Sequence, residues 1–354
     1  MFKKRPAPMS DLSLIRHLKI FRLFGFLPFK LDLHSIGDIS KPFLFVNAVI
    51  LVLKLAVKRP GTSASGMAIN TLSSMEVVFG NISPIIITAL AIRRRREFGK
   101  AIIKLIRLQQ SLGLTEYSMF RGVKLMSGIT MLMASSLLVY RAVMVAMRVS
   151  TLGRLLSEVL VCITLFSALT TSVQFTYLSS CLGNCFEKLS TSSGIQLEPI
   201  QHLRTHEQIV GVALEINRFY DYTLASTLLL YFGSIMRMAS YIYAGSDYSR
   251  IERVKHVVFV LFPVTVIAHI LHTTQTVEDL AEASNQALLD NRINMNEPAY
   301  EDSWLMLHYA GRKPLSFKAM NTVVVNYKLG FSMIATFVTY TVVLYQIVAT
   351  SNSP

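Results

Sequence analysis

The chain has 354 residues, 52% of them hydrophobic and 16% charged, with a mean hydropathy of +0.46 and a formal net charge of +14. With several apolar runs of membrane length, that balance excludes an ordinary soluble domain and indicates a polytopic membrane protein. The basic residues lie mainly between the apolar runs, where they report orientation and not a nucleic-acid surface.

Residues 1–40 are basic, and LSLIRHLKIFRLFGFLPF sets apolar positions against Arg16, Lys19 and Arg22 at helical spacing. The pattern is that of a helix lying along a membrane surface, stopped by Gly25 and Pro28. No small-residue cleavage site is evident, so the first span is expected to do the targeting. That span is expected over 42–57, with Lys54 snorkelling near its end. The second, 66–92, contains Pro84 and should kink there. Its Asn81-Ile-Ser83 triplet matches a glycosylation acceptor but falls inside the apolar run. Arg93, Arg94, Arg95 and Arg96 follow at once, and EFGKAIIKLIRLQQSLG reads as a basic amphipathic helix.

The third span is expected over 124–147, and the fourth from near residue 155 to beyond 174. Cys162, Cys181 and Cys185 sit within that run or at its inner end, which speaks against a disulfide framework and for inert packing. A polar, helix-periodic segment over 187–221 precedes the fifth span at 222–243, and the sixth covers 254–271. The polar segment 273–298 repeats apolar positions at Val277, Leu280, Ala281, Leu288 and Ile293, as a helix packed outside the membrane would.

The seventh span, 331–349, holds no charged residue and reaches across a hydrocarbon core of roughly 30 Å. Ser332, Thr336, Thr339, Val343, Gln346 and Thr350 recur at steps of three and four, which places them on one face of a helix. Phe331, Ile334, Phe337, Val338, Val342, Leu344 and Ile347 occupy the rest. Such a stripe fits helix packing. It fits equally the wall of a pore built from several copies, with Val343 narrowing the path and the Gln346 amide facing a partly dehydrated ion.

Seven spans put the termini on opposite sides. With the N-terminus in the cytoplasm, the inside segments hold roughly three times as many Lys and Arg as the outside loops, so that orientation is expected, with the C-terminus extracellular. A G-protein-coupled receptor runs the other way, and neither an Asp-Arg-Tyr nor an Asn-Pro-x-x-Tyr motif is present. No repeated half suggests a transporter. No Walker motif, metal-spaced cluster or triad suggests an enzyme or a cofactor. His202 and His206 read as packing or surface imidazoles. The spans nonetheless carry Glu76, Tyr140, Arg141, Glu158, Arg237 and Tyr241, which at mid-membrane call for a partner or a wet cavity. Glu76 with Arg141 and Glu158 with Arg237 are candidate pairs. Phe259 and Phe262 are aromatics that either pack or stack on a ligand ring.

The sequence TYTVVLYQ, from Thr339-Tyr340 to Gln346, resembles the Thr-Tyr-(five apolar)-Gln-Phe signature of insect gustatory receptors, with Ile347 where the family has Phe. The similarity extends back through LHYAGRKPLSFKAMNTVVVNYKLGFSMIATFV, and more weakly to LFGFLPF and INRFYDYTLAST. The resemblance implies an all-α subunit of a tetrameric, tastant-gated, non-selective cation channel in the plasma membrane, distantly related to insect odorant receptors. Residues 1–40 would be a cytoplasmic amphipathic segment, 41–275 spans one to six with the ligand-binding bundle, 276–330 a cytoplasmic anchor and 331–350 the pore helix. The pore and gate would be formed by Thr336, Thr339, Tyr340, Val343, Gln346 and Ile347. Glu76, Tyr140, Arg141, Glu158, Arg237, Tyr241 and Phe262 would serve the ligand, a sugar or a bitter compound. Expected partners are that small molecule, permeant cations, membrane lipids and identical or related subunits, with no nucleic acid. The alternatives are a partner subunit without its own pore and a transporter.

Overall fold

The computed structural model describes residues 89–90, 92–114, 128, 132, 135, 152–191, 199–244, 250–293 and 314–351. The first expected span and nearly all of the second and third lie outside that set.

Helix α1 covers 92–111 and realises the amphipathic pattern of EFGKAIIKLIRLQQSLG. Phe98, Ala101, Ile102, Leu105 and Ile106 are buried, while Lys100, Lys104 and Arg107 are exposed. Gly113, at φ 68°, ends it. The Leu114 N–H donates to Gln109 O at 2.9 Å and the Gly113 N–H to Gln110 O at 3.1 Å, so two late carbonyls of the helix are satisfied by a left-handed glycine cap.

Three long helices follow: α2 (Leu152–Thr191), α3 (Pro199–Ala244) and α4 (Arg250–Ile293). At 40, 46 and 44 residues each extends about 60 Å or more, twice the thickness of a hydrocarbon core. The expected fourth, fifth and sixth spans are therefore continuous with the polar helical segments beside them. The change near Asp221 is a change in side-chain polarity with no break in the backbone. Among the described residues, Val260–Ala287 and Tyr327–Gln346 are long and apolar enough to cross a membrane.

Helix α2 is the centre of the bundle, packed on both α3 and α4. From Ser172 to Phe186 every residue is buried, as in a helix surrounded on all sides. Three of its hydroxyls are satisfied locally: Ser172 donates to Ala168 O, Thr176 to Val173 O and Ser180 to Thr176 O. This turns polar residues into groups a crowded interior tolerates. Cys181 and Cys185 are buried free thiols in the same stretch, as packing requires. Val277 and Ala281 of α4 are buried as their spacing predicts.

A short hairpin joins the bundle to the last helix. Strands β1 (Lys318–Ala319) and β2 (Val323–Val324) pair antiparallel. Helix α5, Tyr327–Ser351, then packs on α3 and α4. Asn326 caps it, its side-chain oxygen accepting from the N–H groups of Lys328 and Leu329 at 3.1 and 3.4 Å.

Candidate functional site

Helix α5 has three distinct faces. Leu329, Met333 and Phe337 pack against the core, and Leu344 is 8% exposed. Phe331, Ile334, Val338, Val342 and Tyr345 form a second, apolar and exposed face. Ser332, Thr336, Thr339, Val343, Gln346 and Thr350 form a third, also exposed. At about 100° per residue the three faces are centred roughly 100° to 140° apart, so the polar stripe is flanked by bundle on one side and apolar surface on the other. It runs about 27 Å along the helix axis.

The hydroxyls of the stripe are oriented by their own helix. Thr336 donates to Ser332 O at 2.8 Å, Thr339 to Ala335 O at 3.0 Å and Thr350 to Gln346 O at 2.8 Å. With those hydrogens turned toward the backbone, oxygen lone pairs are what the threonines offer outward. The Gln346 amide makes no hydrogen bond among the described residues. Tyr340 is half-buried beside the stripe, and Ile347 lies on α5 with its side chain outside the described set. A row of uncharged acceptors ending in a free amide can solvate a cation or a water file.

The N-terminal end of α5 is held at several points. The Tyr327 hydroxyl and His272 Nδ1 are hydrogen-bonded at 2.7 Å. Gly330 passes so close to α4 that a Cβ there would stand 2.8 Å from Leu271 Cδ1. In the preceding hairpin, the Phe317 N–H donates to Glu278 Oε1 at 2.8 Å, the Lys318 N–H to Asn217 Oδ1 at 3.2 Å and the Met320 N–H to Asp221 O at 3.2 Å. Asp221 is fully buried and pairs through Oδ1 with Arg94 at 3.0 Å. Arg94 also donates to Arg218 O and lies 5.6 Å from the Tyr222 ring centre. Around these contacts sits an aromatic cluster: Phe98 stacked on Phe219 at 3.8 Å, and Phe175 tilted against Tyr220 and edge-on to Phe317 at 5.4 and 5.8 Å.

Burial lifts the Glu278 carboxyl from its ordinary 4.5 to about 7; the Phe317 N–H opposes the rise and the neighbouring Asp279 adds to it. His202 is lowered by burial, and His206 sits against Phe186 with Nε2 3.3 Å from Ala281 O. Both imidazoles are packing groups. Among the described residues, no three His, Cys, Asp or Glu side chains could hold a metal ion.

Of the residues expected to serve a ligand, Phe262 is buried with its edge toward Tyr231, ring centres 5.8 Å apart. Glu76, Tyr140 and Arg141 lie outside the described residues. Glu158 falls on α2 and Arg237 and Tyr241 on α3, their side chains also outside the described set. The attachment of α5 through Glu278, Asn217, Asp221 and Arg94 was not anticipated. Its signal was available in part: Asn217 and Asp221 are four apart in INRFYDYTLAST, two small polar residues on the face of α3 that also carries buried Ala213 and Leu224.

A family model described as 7tm chemosensory receptor matches residues 14–350. The structure is similar to that of the insect olfactory receptor OR5 from Machilis hrabei in complex with eugenol. The TM-score is 0.66 at 15% identity, over 95% of this chain and 98% of that one. It is also similar to the structure titled simply as OR5 from Machilis hrabei, with a TM-score of 0.60 at 15% identity, over 94% and 98% of the two chains. Among curated proteins no match is found.

Proposed function

The chain belongs to the 7tm chemosensory receptor family, a family of membrane-embedded receptors, and from that membership we propose that it is a gustatory receptor acting as a tastant-gated, non-selective cation channel. Four copies, identical or related, close a ring in the plasma membrane, each with seven spans, a cytoplasmic N-terminus and an extracellular C-terminus. The pore is lined by α5.

The observation that carries this reading is the three-faced α5. In a closed ring, one face of each α5 stays on its own bundle, the apolar face meets lipid or the neighbouring copy, and the polar stripe meets its symmetry mates across shared water. A lone copy would leave the Gln346 amide in hydrocarbon, where an unpaired amide costs several kcal/mol. In the closed state Gln346 and Ile347 crowd the axis at the outer end, while Thr339 and Thr336 coat a wetter vestibule below. Opening moves the helices apart, and a ligand drives that only through its tighter binding to the open arrangement. That OR5 has been solved with eugenol supports a small organic molecule as the gating ligand. Glu76, Tyr140, Arg141, Glu158, Arg237, Tyr241 and Phe262 are proposed to form or support its site.

Expression of this chain alone, with current recording during a panel of sugars and bitter compounds, tests the proposal. A ligand-evoked, ohmic cation current supports it. Current that arises only with a related second subunit would make the chain a partner without its own pore, and saturable flux without channel events would make it a transporter.

A further inference from the structure

The hairpin before α5 is gripped more closely than a connecting loop requires. Its turn places Met320 and Asn321 at φ 52° and 59°, a backbone region that costs a non-glycine residue and persists where the surroundings impose it. The Thr322 N–H closes the turn on Ala319 O at 3.2 Å, and the Val325 N–H returns to Phe317 O at 2.8 Å. Phe317 and Val325 are fully buried. Directly after Val325, Asn326 caps α5. The path from the hairpin to the pore-facing helix therefore contains no slack segment.

We infer that Glu278 and Asn217 are positioning residues whose side-chain oxygens, through the N–H groups of Phe317 and Lys318, dock the hairpin on α3 and α4 and so set the position of α5. The consequence for gating rests on the pore reading above. The docking itself does not.

The docking is coupled to a proton. Docked, the Glu278 carboxyl titrates at about 7, mainly because it is withdrawn from water. With the hairpin lifted and the group solvated, it returns toward its ordinary 4.5. The docked form therefore holds the proton more tightly, so docking is strongest at low pH and weakens as pH rises through 7. Between about pH 6 and about pH 8 these two values give roughly a tenfold rise in the equilibrium constant for lifting. Among the charged groups on the surrounding elements are Asp279 and Glu282 on α4, Arg218 and Asp221 on α3, Lys318 on the hairpin and Arg94 on α1. Of these, Asp279 is the one that repels the ionised carboxylate, and Arg94 is engaged by Asp221.

Hydrogen–deuterium exchange of the hairpin peptide, measured on the purified full chain in lipid nanodiscs and corrected for chemical exchange, tests this. In the wild type the opening constant rises about tenfold from about pH 6 to about pH 8. Glu278→Gln keeps an acceptor for Phe317 and removes the charge, so its opening constant stays flat near the low-pH wild-type level. Asn217→Ala exchanges faster at every pH and keeps the slope. A wild type without the slope overturns the inference, as does a Gln variant that retains it. A chain that shows the slope but conducts no current in any subunit combination would overturn the pore reading and leave the docking in place. Where current is present, raising pH on the cytoplasmic side of a patch shifts the half-maximal tastant concentration in the wild type and not in Glu278→Gln, with single-channel conductance unchanged in both. A shift of equal size in both variants counts against it.

Discussion

Replacing Arg94 with Ala strips a fully buried carboxylate of its cation. Asp221 Oδ1 then keeps only the Tyr222 N–H, at 2.6 Å, while Oδ2 has no partner among the described residues. Removing one member of a buried pair costs about 3–5 kcal/mol in general. The Arg94 side chain is 20% exposed, so water can partly reach the vacated position and the lower end, about 3 kcal/mol, is expected. In a chain of this size that is a loss of several degrees in the apparent melting temperature. The assay is thermal unfolding of detergent-purified protein followed by fluorescence-detected size exclusion, at one fixed heating protocol because membrane proteins unfold irreversibly. Arg94→Lys should recover part of the loss, since an ammonium replaces the charge but not the forked contact with Arg218 O. Asp221→Asn combined with Arg94→Ala should cost less than the two single losses added, because each single change strands the other group. An Arg94→Ala protein that melts with the wild type, or a double variant that is fully additive, would refute the assignment of this pair as a buried brace.

Other outcomes follow from the faces of α5 and its attachment. Leu344→Ala removes a buried side chain and should cost about 2–4 kcal/mol, seen as lower surface expression and melting temperature. Val343→Ala on the exposed face should change stability by no more than about 0.5 kcal/mol. Gly330→Val forces Leu271 aside and should lower the yield of assembled protein, with Leu271→Ala in the same chain restoring part of it. An epitope at Met1 should stain only in permeabilised cells, and staining of intact cells would reverse the proposed orientation.

The polar stripe was legible in the sequence because a helix converts steps of three and four directly into a face, and nothing distant has to be known. The same holds for α1, whose Ile102, Leu105 and Ile106 are buried where the spacing puts them. Packing for Cys181, Cys185, His202 and His206 was legible for a different reason: each is only one of a pair four residues apart, and a pair without further ligands is more often packing than a metal site. The continuity of α3 through Asp221 was hidden, since a boundary between water and lipid changes which side chains are tolerated while the backbone hydrogen bonds continue. The hairpin was hidden because its strands, Lys318–Ala319 and Val323–Val324, are too short for an alternating pattern to register. Its turn residues, Met320 and Asn321, also lack the glycine that usually marks such a turn. Glu278 and Asn217 meet the hairpin across long stretches of chain, and no local periodicity reports such a contact.

The central claim is that the stripe of α5 faces conducted water. Single cysteines at Thr339, Val343, Gln346 and Leu344, treated with a charged, water-soluble thiol reagent during current recording, test it most directly. Cys181 and Cys185 are buried, and replacing Cys162 with Ser in every variant leaves the cysteine-free α5 as the control background. Thr339→Cys, Val343→Cys and Gln346→Cys should each be modified, with a change in current and at rates that depend on whether tastant is present, while Leu344→Cys, held against the bundle, should stay unreactive. Modification of Leu344→Cys with the three stripe positions silent would place a different face of the helix on the pore and contradict the account.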